Sequence, residues 1–461
     1  MPRKGLGGRF GRGARLANAG LRSAAGLAAA RARQAAGGEV DPQRFHEITA
    51  ETLADVLGDM KGAAMKLGQL LSFVDVDLPD DVRTVYHDAL AKLRDDAPPM
   101  DPAVIAQVVQ DDYGAPAEVV FAEWDPRPLA AASIGQVHAA RLDDGTDVVV
   151  KVQYPGVAEA VRADLRNAEV FAPLARLISP HLEVEPLIDE LRERVGDELD
   201  YEREATYQRA FANRYKGHPF IHVPEIIGDM CRGRVLVAER VRGRTFGQIA
   251  TEGTEEEKQR LGEIIFRYAF GSIERFRLFN GDPHPGNYLY ESDGRIAFLD
   301  YGSVKMFTRE RFDHMVRTNA AVLDGDAEEL EAQLHESGFL PTRAEIDAER
   351  MLEWFRLYMR PVVAQQPFTF TPDFATEVIR STSHPRSPYL RVLRALNLPP
   401  DYLLLNRIHW GINSVLGRLR ATANWRGIRA EYVDEAAPAT ELGELDRKWW
   451  FEREPVYDPP A

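Results

Sequence analysis

The chain has 461 residues, 44% hydrophobic and 28% charged, with a formal net charge of −15 and one cysteine, Cys231. Such a length accommodates two or three domains or one large bilobal one, and the composition is that of an ordinary soluble globular protein. The acidity argues against nucleic acid as the main partner, and the lone thiol excludes an internal disulfide or a cysteine-rich metal site and fits a reducing cytosol.

Residues 1–38 reverse the overall charge, with eight basic residues (Arg3, Lys4, Arg9, Arg12, Arg15, Arg22, Arg31 and Arg33) and no acid. Removing those eight positives from −15 leaves about −23 for the rest of the chain. This Gly- and Ala-rich segment reads as a disordered basic tail or as an amphipathic helix at an anionic membrane surface. Arginines interrupt its alanines, so it lacks the apolar core of a secretory signal. The two most apolar runs elsewhere, Leu403 to Leu416 and Ile264 to Phe279, contain Arg, His, Asn or Glu and fall short of the ~18 residues of a membrane span. A cytoplasmic location, at most peripheral to a membrane, is expected.

From Asp41 to Leu93 the pattern is helical, with Leu53, Val56, Leu57, Met60, Ala64 and Leu67 at i, i+3, i+4 spacing. Pro79 separates a second helix near Val82 to Leu93, Pro98-Pro99 closes the unit, and a short helix follows over Pro102 to Asp111. Strands are predicted at Val119 to Phe121, Gln136 to Arg141 and Asp147 to Val152, the last two joined by a hairpin through Asp143-Asp144-Gly145. Helical patterns cover Val157 to Ile178 and Pro186 to Tyr215, and strand-like runs cover His222 to Ile227 and Arg234 to Val241. A long helix over Glu255 to Phe276 leads into a polar loop, residues 305–432 look all-helical, and the end looks irregular. The fold class expected is α+β, with a small β-rich lobe and a larger helical one. The boundaries are a basic tail at 1–40, a helical extension at 41–115, a β-rich lobe at 116–243, a helical lobe at 244–440 and an irregular tail at 441–461.

The residues that carry chemistry begin with Asp282 and Asn287 on one loop and Asp300-Tyr301-Gly302 after the next hairpin. Phosphoryl transfer needs a carboxylate near the attacking hydroxyl and oxygen ligands that hold Mg²⁺ against the triphosphate, and this spacing supplies both. Lys151 ends an alternating strand, where a lysine neutralises α- and β-phosphates if a helix carboxylate holds it. That carboxylate is assigned to Glu204, in the acidic run Glu198 to Glu204, where Asp200 and Glu204 share a face at i, i+4. The stretch Ala130 to Val137 stands where a phosphate-covering glycine loop would be. Alanine avoids φ > 0, so Ala131, Ala132, Ser133 and Gly135 must cover a nucleotide differently. Lys66-Leu67-Gly68-Gln69 lies on the first long helix, with a glycine that implies close packing. His284, between two prolines, reads as a structural hydrogen-bonder.

Together these segments resemble the UbiB-like (ADCK/AarF-type) atypical kinases of the protein-kinase-like superfamily. Lys66 to Gln69 is similar to the family's Lys-x-Gly-Gln signature, Ala130 to Gln136 to its alanine-rich loop, and Glu198-Leu199-Asp200 to its Glu-x-Asp motif. The resemblance implies a bilobal kinase-like fold with a helical N-terminal extension, in which Lys66, Gln69, Glu198 and Asp200 regulate access to the cleft. Asn280-Gly281 stand where a protein kinase has His-Arg, and Tyr301 replaces Phe.

The function expected is that of an ATP-binding, Mg²⁺-dependent atypical kinase or ATPase in isoprenoid-quinone or lipid metabolism. Asp282, Lys151 and Glu204 are catalytic, and Asn287 and Asp300 bind the metal. Ala131, Ala132, Ser133, Gly135, Lys151 and the backbone of Glu239 and Val241 hold ATP or ADP. Partners expected are anionic lipid or quinone-pathway components. The alternative is a nucleotide-sensing scaffold without turnover; a protein kinase is a third reading.

Overall fold

The computed structural model describes residues 100–131, 134–159, 196, 199–341, 346–383, 387–396 and 400–453. The chain divides into two units, one of Met1–Val108, Pro126–Val137 and Val152–Leu199, the other of Val109–Asp125, His138–Lys151 and Asp200–Ala461. This division falls within strands that the sequence-read boundaries keep whole.

Helix α1 (Pro102–Tyr113) and a single turn α2 (Ala117–Val120) precede β1 (Glu123–Ala131), β2 (Gly135–Arg141) and β3 (Asp147–Gln153). The strand expected at Val119 to Phe121 is thus corrected to a helical turn, and the extended chain starts at Glu123 and continues through Pro126 and Pro128. Those prolines suit β1 because it is the edge strand, where a missing N–H breaks no ladder. Helix α3 (Tyr201–Arg214), β4 (Ile221–His222) and β5 (Val235–Glu239) follow, and the sheet order is β1-β2-β3-β5. In β3, Val148, Val150 and Val152 are fully buried, and strand alternation puts Lys151 on the other face.

The helix expected from Pro186 to Tyr215 is interrupted at Leu199-Asp200; before that break Gly196 is helical, and 186–195 and 197–198 lie outside the described residues. Asp200 is not on the helix but caps it, its side chain accepting from Arg203 N at 2.9 Å, and α3 begins at Tyr201. By contrast, α5 (Glu255–Phe276), which follows β6 (Arg244–Thr245) and α4 (Phe246–Glu252), has the boundaries read from the sequence. A capping box between Thr254 and Glu257 and three acids in the first turn fix its start, and Arg277 in the left-handed conformation ends it.

Four short strands come next: β7 (Leu278–Asn280), β8 (Tyr288–Tyr290), β9 (Ile296–Phe298) and β10 (Val304–Met306). One sheet is ordered β4-β9-β8-β6, and β7 pairs separately with β10. Beyond them lie α6 (Arg309–Asp324), α7 (Ala327–Glu336), α8 (Ala348–Tyr358), α9 (Arg360–Val363), β11 (Phe368–Thr369), α10 (Pro372–Ser383), α11 (Leu390–Ala395) and α12 (Pro400–Leu419). Then come β12 (Thr422–Ala423), α13 (Trp425–Val433) and α14 (Glu441–Glu452). The all-helical expectation for residues 305–432 is corrected by β10 and by the antiparallel pair β11–β12. The apolar core of this unit joins α5 to α12 and α13 around Trp425, which is fully buried.

The irregular tail expected at 441–461 is corrected over Glu441–Glu452, where α14 is a helix capped by Thr440, while 454–461 lie outside the described residues. Leu442 and Trp449, seven apart and therefore on one face, are buried. Between them Asp446 accepts from Arg275 Nη1 at 2.9 Å and Nη2 at 2.7 Å, and from His218 Nε2 at 2.9 Å. His218 Nδ1 in turn accepts from the backbone of Ile221 at 3.0 Å, which fixes a neutral tautomer. Burial opposes the Asp446 charge, yet His218 and Arg275 outweigh it and hold its carboxyl well below the usual range. Burial pushes His218 down. Both folded pKa values lie below the unfolded ones, so this contribution is complete at neutral pH and is lost as pH falls. Asp446→Asn should cost about 3 kcal/mol in chemical denaturation, because Arg275 is left buried without its carboxylate. The wild-type chain should begin to lose stability below about pH 6.5, through His218 first.

Candidate active site

Strand pairing builds the site. Val304 pairs with Asn280 and Met306 with Leu278, while Tyr288 pairs with Phe298 and Tyr290 with Ile296. The loop from Gly281 to Asn287 and the turn from Leu299 to Ser303 are therefore held side by side at the ends of two antiparallel ladders. Cross-bonds tie them, with Gly281 N donating to Ser303 O at 2.6 Å and Leu299 N to Asn287 O at 3.1 Å. Asn280 bridges both. Its Nδ2 donates to the carbonyl of Asp300, and its Oδ1 accepts from Asp282 N at 3.0 Å.

Within the loop, Asn287 Nδ2 donates to Asp282 O at 3.2 Å, so the amide oxygen is the group it can offer a ligand. Asp300 Oδ1 accepts from Gly302 N at 2.9 Å, which orients its carboxylate. His284 Nδ1 accepts from Gly286 N at 3.0 Å and shapes the short 3₁₀ turn of Pro285–Asn287.

Lys151 and Glu204 are in direct contact, with Nζ 2.7 Å from Oε1 and 2.9 Å from Oε2. The lysine side chain is 17% exposed and the glutamate 2%. The amine also lies over the Tyr201 ring, 5.0 Å from its centroid. Burial works against the ammonium, but Glu204 and then Asp300 more than compensate and hold its pKa well above the ordinary lysine value. The field of Asp300 thus reaches Lys151, so the two lobes of chemistry read from the sequence share one electrostatic environment.

The other residues singled out from the sequence are distributed as follows. Tyr301 is fully buried; it packs against Phe211 at 5.1 Å and accepts from Tyr268 Oη at 3.2 Å. Glu239 ends β5 with its carboxylate engaged by His222 Nε2 and Glu225 N, each at 3.2 Å, and its own N–H donates to Glu225 O at 2.8 Å, so its backbone carbonyl is the group it can offer a ligand. Val241 follows two residues on and is half-buried. Ala131 ends β1 and Gly135 opens β2. Ala132, Ser133, Lys66, Gln69 and Glu198 lie outside the described residues.

Two contributors were not identified from the sequence. Asn280 was seen only as a departure from a kinase pattern, whereas it joins the two loops; a polar residue ending the apolar Leu278-Phe279 strand was the available signal. Gly411, inside α12, had no signal at all. A Cβ there would lie 2.3 Å from Pro283 Cγ, so the glycine lets α12 press directly on the catalytic-type loop. Glycine to alanine inside a helix ordinarily gains about 1 kcal/mol. Here Gly411→Ala should instead lose about 1–3 kcal/mol through overpacking, and a rise in melting temperature would contradict the contact.

The comparisons with known proteins agree with this geometry. A family model described as the ABC1 atypical kinase-like domain matches residues 92–334. The chain is 33% identical over 318 residues to "Probable protein kinase UbiB" of Azotobacter vinelandii, covering 66% of this chain and 58% of that protein. It is 30% identical over 328 residues to "Atypical kinase COQ8B, mitochondrial" of Rattus norvegicus, covering 70% and 61%. The chain thus spans about three fifths of the length of these relatives. Among solved structures, Rv3197 of Mycobacterium tuberculosis, determined with erythromycin, matches with a TM-score of 0.60 and 30% identity over 82% of this chain and 94% of that one. Its fold is kinase-like α+β, and the chain belongs to the ABC1 atypical kinase-like family, the group that includes UbiB and COQ8B.

Proposed function

We propose that this protein binds ATP or ADP with Mg²⁺ and transfers or hydrolyses the terminal phosphoryl group in support of isoprenoid-quinone or other lipid metabolism. The observation that carries the reading is the lysine within β3, charged, only 17% exposed, and gripped by both oxygens of Glu204. An ammonium so placed suits a polyphosphate.

The donor set also fits the metal. Among the described residues no group of three or more His, Cys, Asp or Glu could hold an ion by itself. Mg²⁺ in nucleotide sites, however, takes one or two protein oxygens and completes its shell with phosphate and water. The Asp300 carboxylate and the Asn287 amide oxygen are two such hard donors, both fixed by hydrogen bonds. The bound metal would neutralise charge on the phosphates. Lys151, kept in place by Glu204, orients the α- and β-phosphates. Asp282 holds the nucleophile's hydroxyl or water in line. Ala131 to Gly135 cover the nucleotide, and the backbone of Glu239 and Val241 meets the adenine edge.

The quinone and lipid part rests on family membership and on the basic segment at residues 1–38. Among the described residues no helix is long and apolar enough to cross a membrane. That fits a protein recruited through charge to anionic lipid. Asp200, as cap of α3, would set the position of Glu204. Lys66, Gln69 and Glu198 complete the regulatory group.

With Asp300→Asn, Mg²⁺–ATP affinity measured by calorimetry should fall about tenfold or more, since a neutral amide replaces a charged metal ligand. Undiminished affinity would remove Asp300 from the metal site. Turnover should rise on anionic vesicles and lose that rise when residues 1–38 are deleted. A rise that survives the deletion would separate the tail from membrane recruitment.

A further inference from the structure

The connector from β5 to β6, residues 239–244, carries the backbone groups assigned to the nucleobase, and it is braced at both ends. At its far end, Arg244 pairs with Tyr290 across β6 and β8. A Cβ on Gly243 would lie 2.6 Å from Tyr290 O, so the chain there rests directly on β8. At its near end, Glu239 N donates to Glu225 O at 2.8 Å, and the Glu239 carboxylate accepts from Glu225 N at 3.2 Å.

One side chain joins the two ends. His222, on β4, meets Glu239 Oε2 through Nε2 at 3.2 Å and Glu291 Oε2 through Nδ1 at 2.8 Å. Glu291 directly follows Tyr290, at the turn between β8 and β9. A closed path therefore runs from Glu239 along the connector to Tyr290 and Glu291, and back through the His222 ring. Backbone pairing of Ile221 with Ile296 and of His222 with Ala297 already holds β4 in its sheet, so the side chain is not needed for that.

The partners fix the charge of the ring. A carboxylate only accepts, so two of them are engaged together by an imidazolium, which donates from both nitrogens. A neutral ring would turn a lone pair toward one of them. The ring and Glu291 are only 13% and 12% exposed, so water screens this pairing less than it would at a surface. Arg295, just before β9, borders the cluster with Nη2 3.4 Å from Glu291 Oε1, while its Nε donates to Asp293 at 2.7 Å. Burial opposes the imidazolium, but Glu239 and Glu291 outweigh it and raise the His222 pKa above the ordinary histidine value. The folded pKa thus lies above the unfolded one, so the clamp is complete below about pH 6.5 and is lost as pH rises through the folded value.

We infer that His222 is a positioning residue for the nucleobase: as an imidazolium it clamps the start of the connector to the β8–β9 turn and so holds the Glu239 carbonyl where an adenine amino group donates to it. This rests on the nucleotide reading proposed above, and adds to it a proton-dependent grip on the base that leaves the phosphate contacts of Lys151 untouched.

The test compares ATP with tripolyphosphate, which has the phosphates but no base, by calorimetry on the full chain in excess Mg²⁺ from about pH 6 to about pH 9. Phosphate titration affects both ligands and cancels in the ratio of their affinities, and adenine does not titrate in this range. The wild-type preference for ATP should fall about fivefold across it, the difference between a charge-assisted hydrogen bond and an ordinary one. In His222→Gln the preference should be low and flat with pH. In Glu291→Gln it should stay high throughout, because a neutral ring can donate to Glu239 through Nε2 and accept from the new amide through Nδ1. Tripolyphosphate affinity at each pH should be the same in all three proteins. A flat ratio in the wild-type chain, or one that still falls with pH in either variant, overturns the inference and leaves the nucleotide reading standing. Failure of the wild-type chain to bind either ligand removes both.

Discussion

A charged lysine on the inner face of a sheet is tolerable only if a carboxylate is held against it, and the local architecture follows from that requirement. Glu204 is 2% exposed, on the same stripe of α3 as the buried Tyr201, Ala205, Gln208 and Phe211. An acid on an apolar stripe without a cation opposite would cost several kcal/mol. Lys151 supplies that cation, and Glu204 in return keeps the amine charged against its own burial. Neither side chain is stable in place without the other.

The same helix governs the second half of the site. Two turns beyond Glu204, Phe211 packs on Tyr301, the residue after Asp300. One face of α3 therefore sets both the lysine and the turn that carries the metal-type carboxylate. Asn280 adds the polar counterpart, one side chain bonded to both loops, so that Asp282 and Asp300 keep a fixed relation. From behind, α12 presses on Pro283 through a residue without a side chain. Preorganisation of this kind is what phosphoryl transfer asks of a protein, because positioning and electrostatics supply most of the catalysis.

Much of this was legible in the sequence. The alternation of Val148, Val150 and Val152 placed Lys151 on the opposite face, and the long helix read over Glu255 to Phe276 has those bounds in the structure. The fold class and family followed from the order of the motifs. What the sequence hid has physical causes. Val119 to Phe121 has strand-like residues, but Pro116 starts a helical turn there. Asp200 looked like a helical residue because its spacing to Glu204 is helical, yet Asp readily leaves the helix to cap it. The tail beyond 441 looked irregular because it is rich in Trp, Pro and Glu, and the partners that hold it through Asp446, His218 and Arg275, are more than a hundred residues away in sequence. Gly411 matters through contact with Pro283, and no local pattern reveals a contact of that range.

The central claim is that the Lys151–Glu204 pair is a single device that presents an ammonium to a polyphosphate. A double-mutant cycle on nucleotide affinity tests it most directly, with Lys151→Met, Glu204→Gln and the combination measured by calorimetry on folded protein. Each single change should weaken Mg²⁺–ATP binding about tenfold or more, and the double should be little worse than Lys151→Met alone, because Glu204 acts only through the lysine. Wild-type affinity in either single variant, or fully additive losses in the double, would contradict the account.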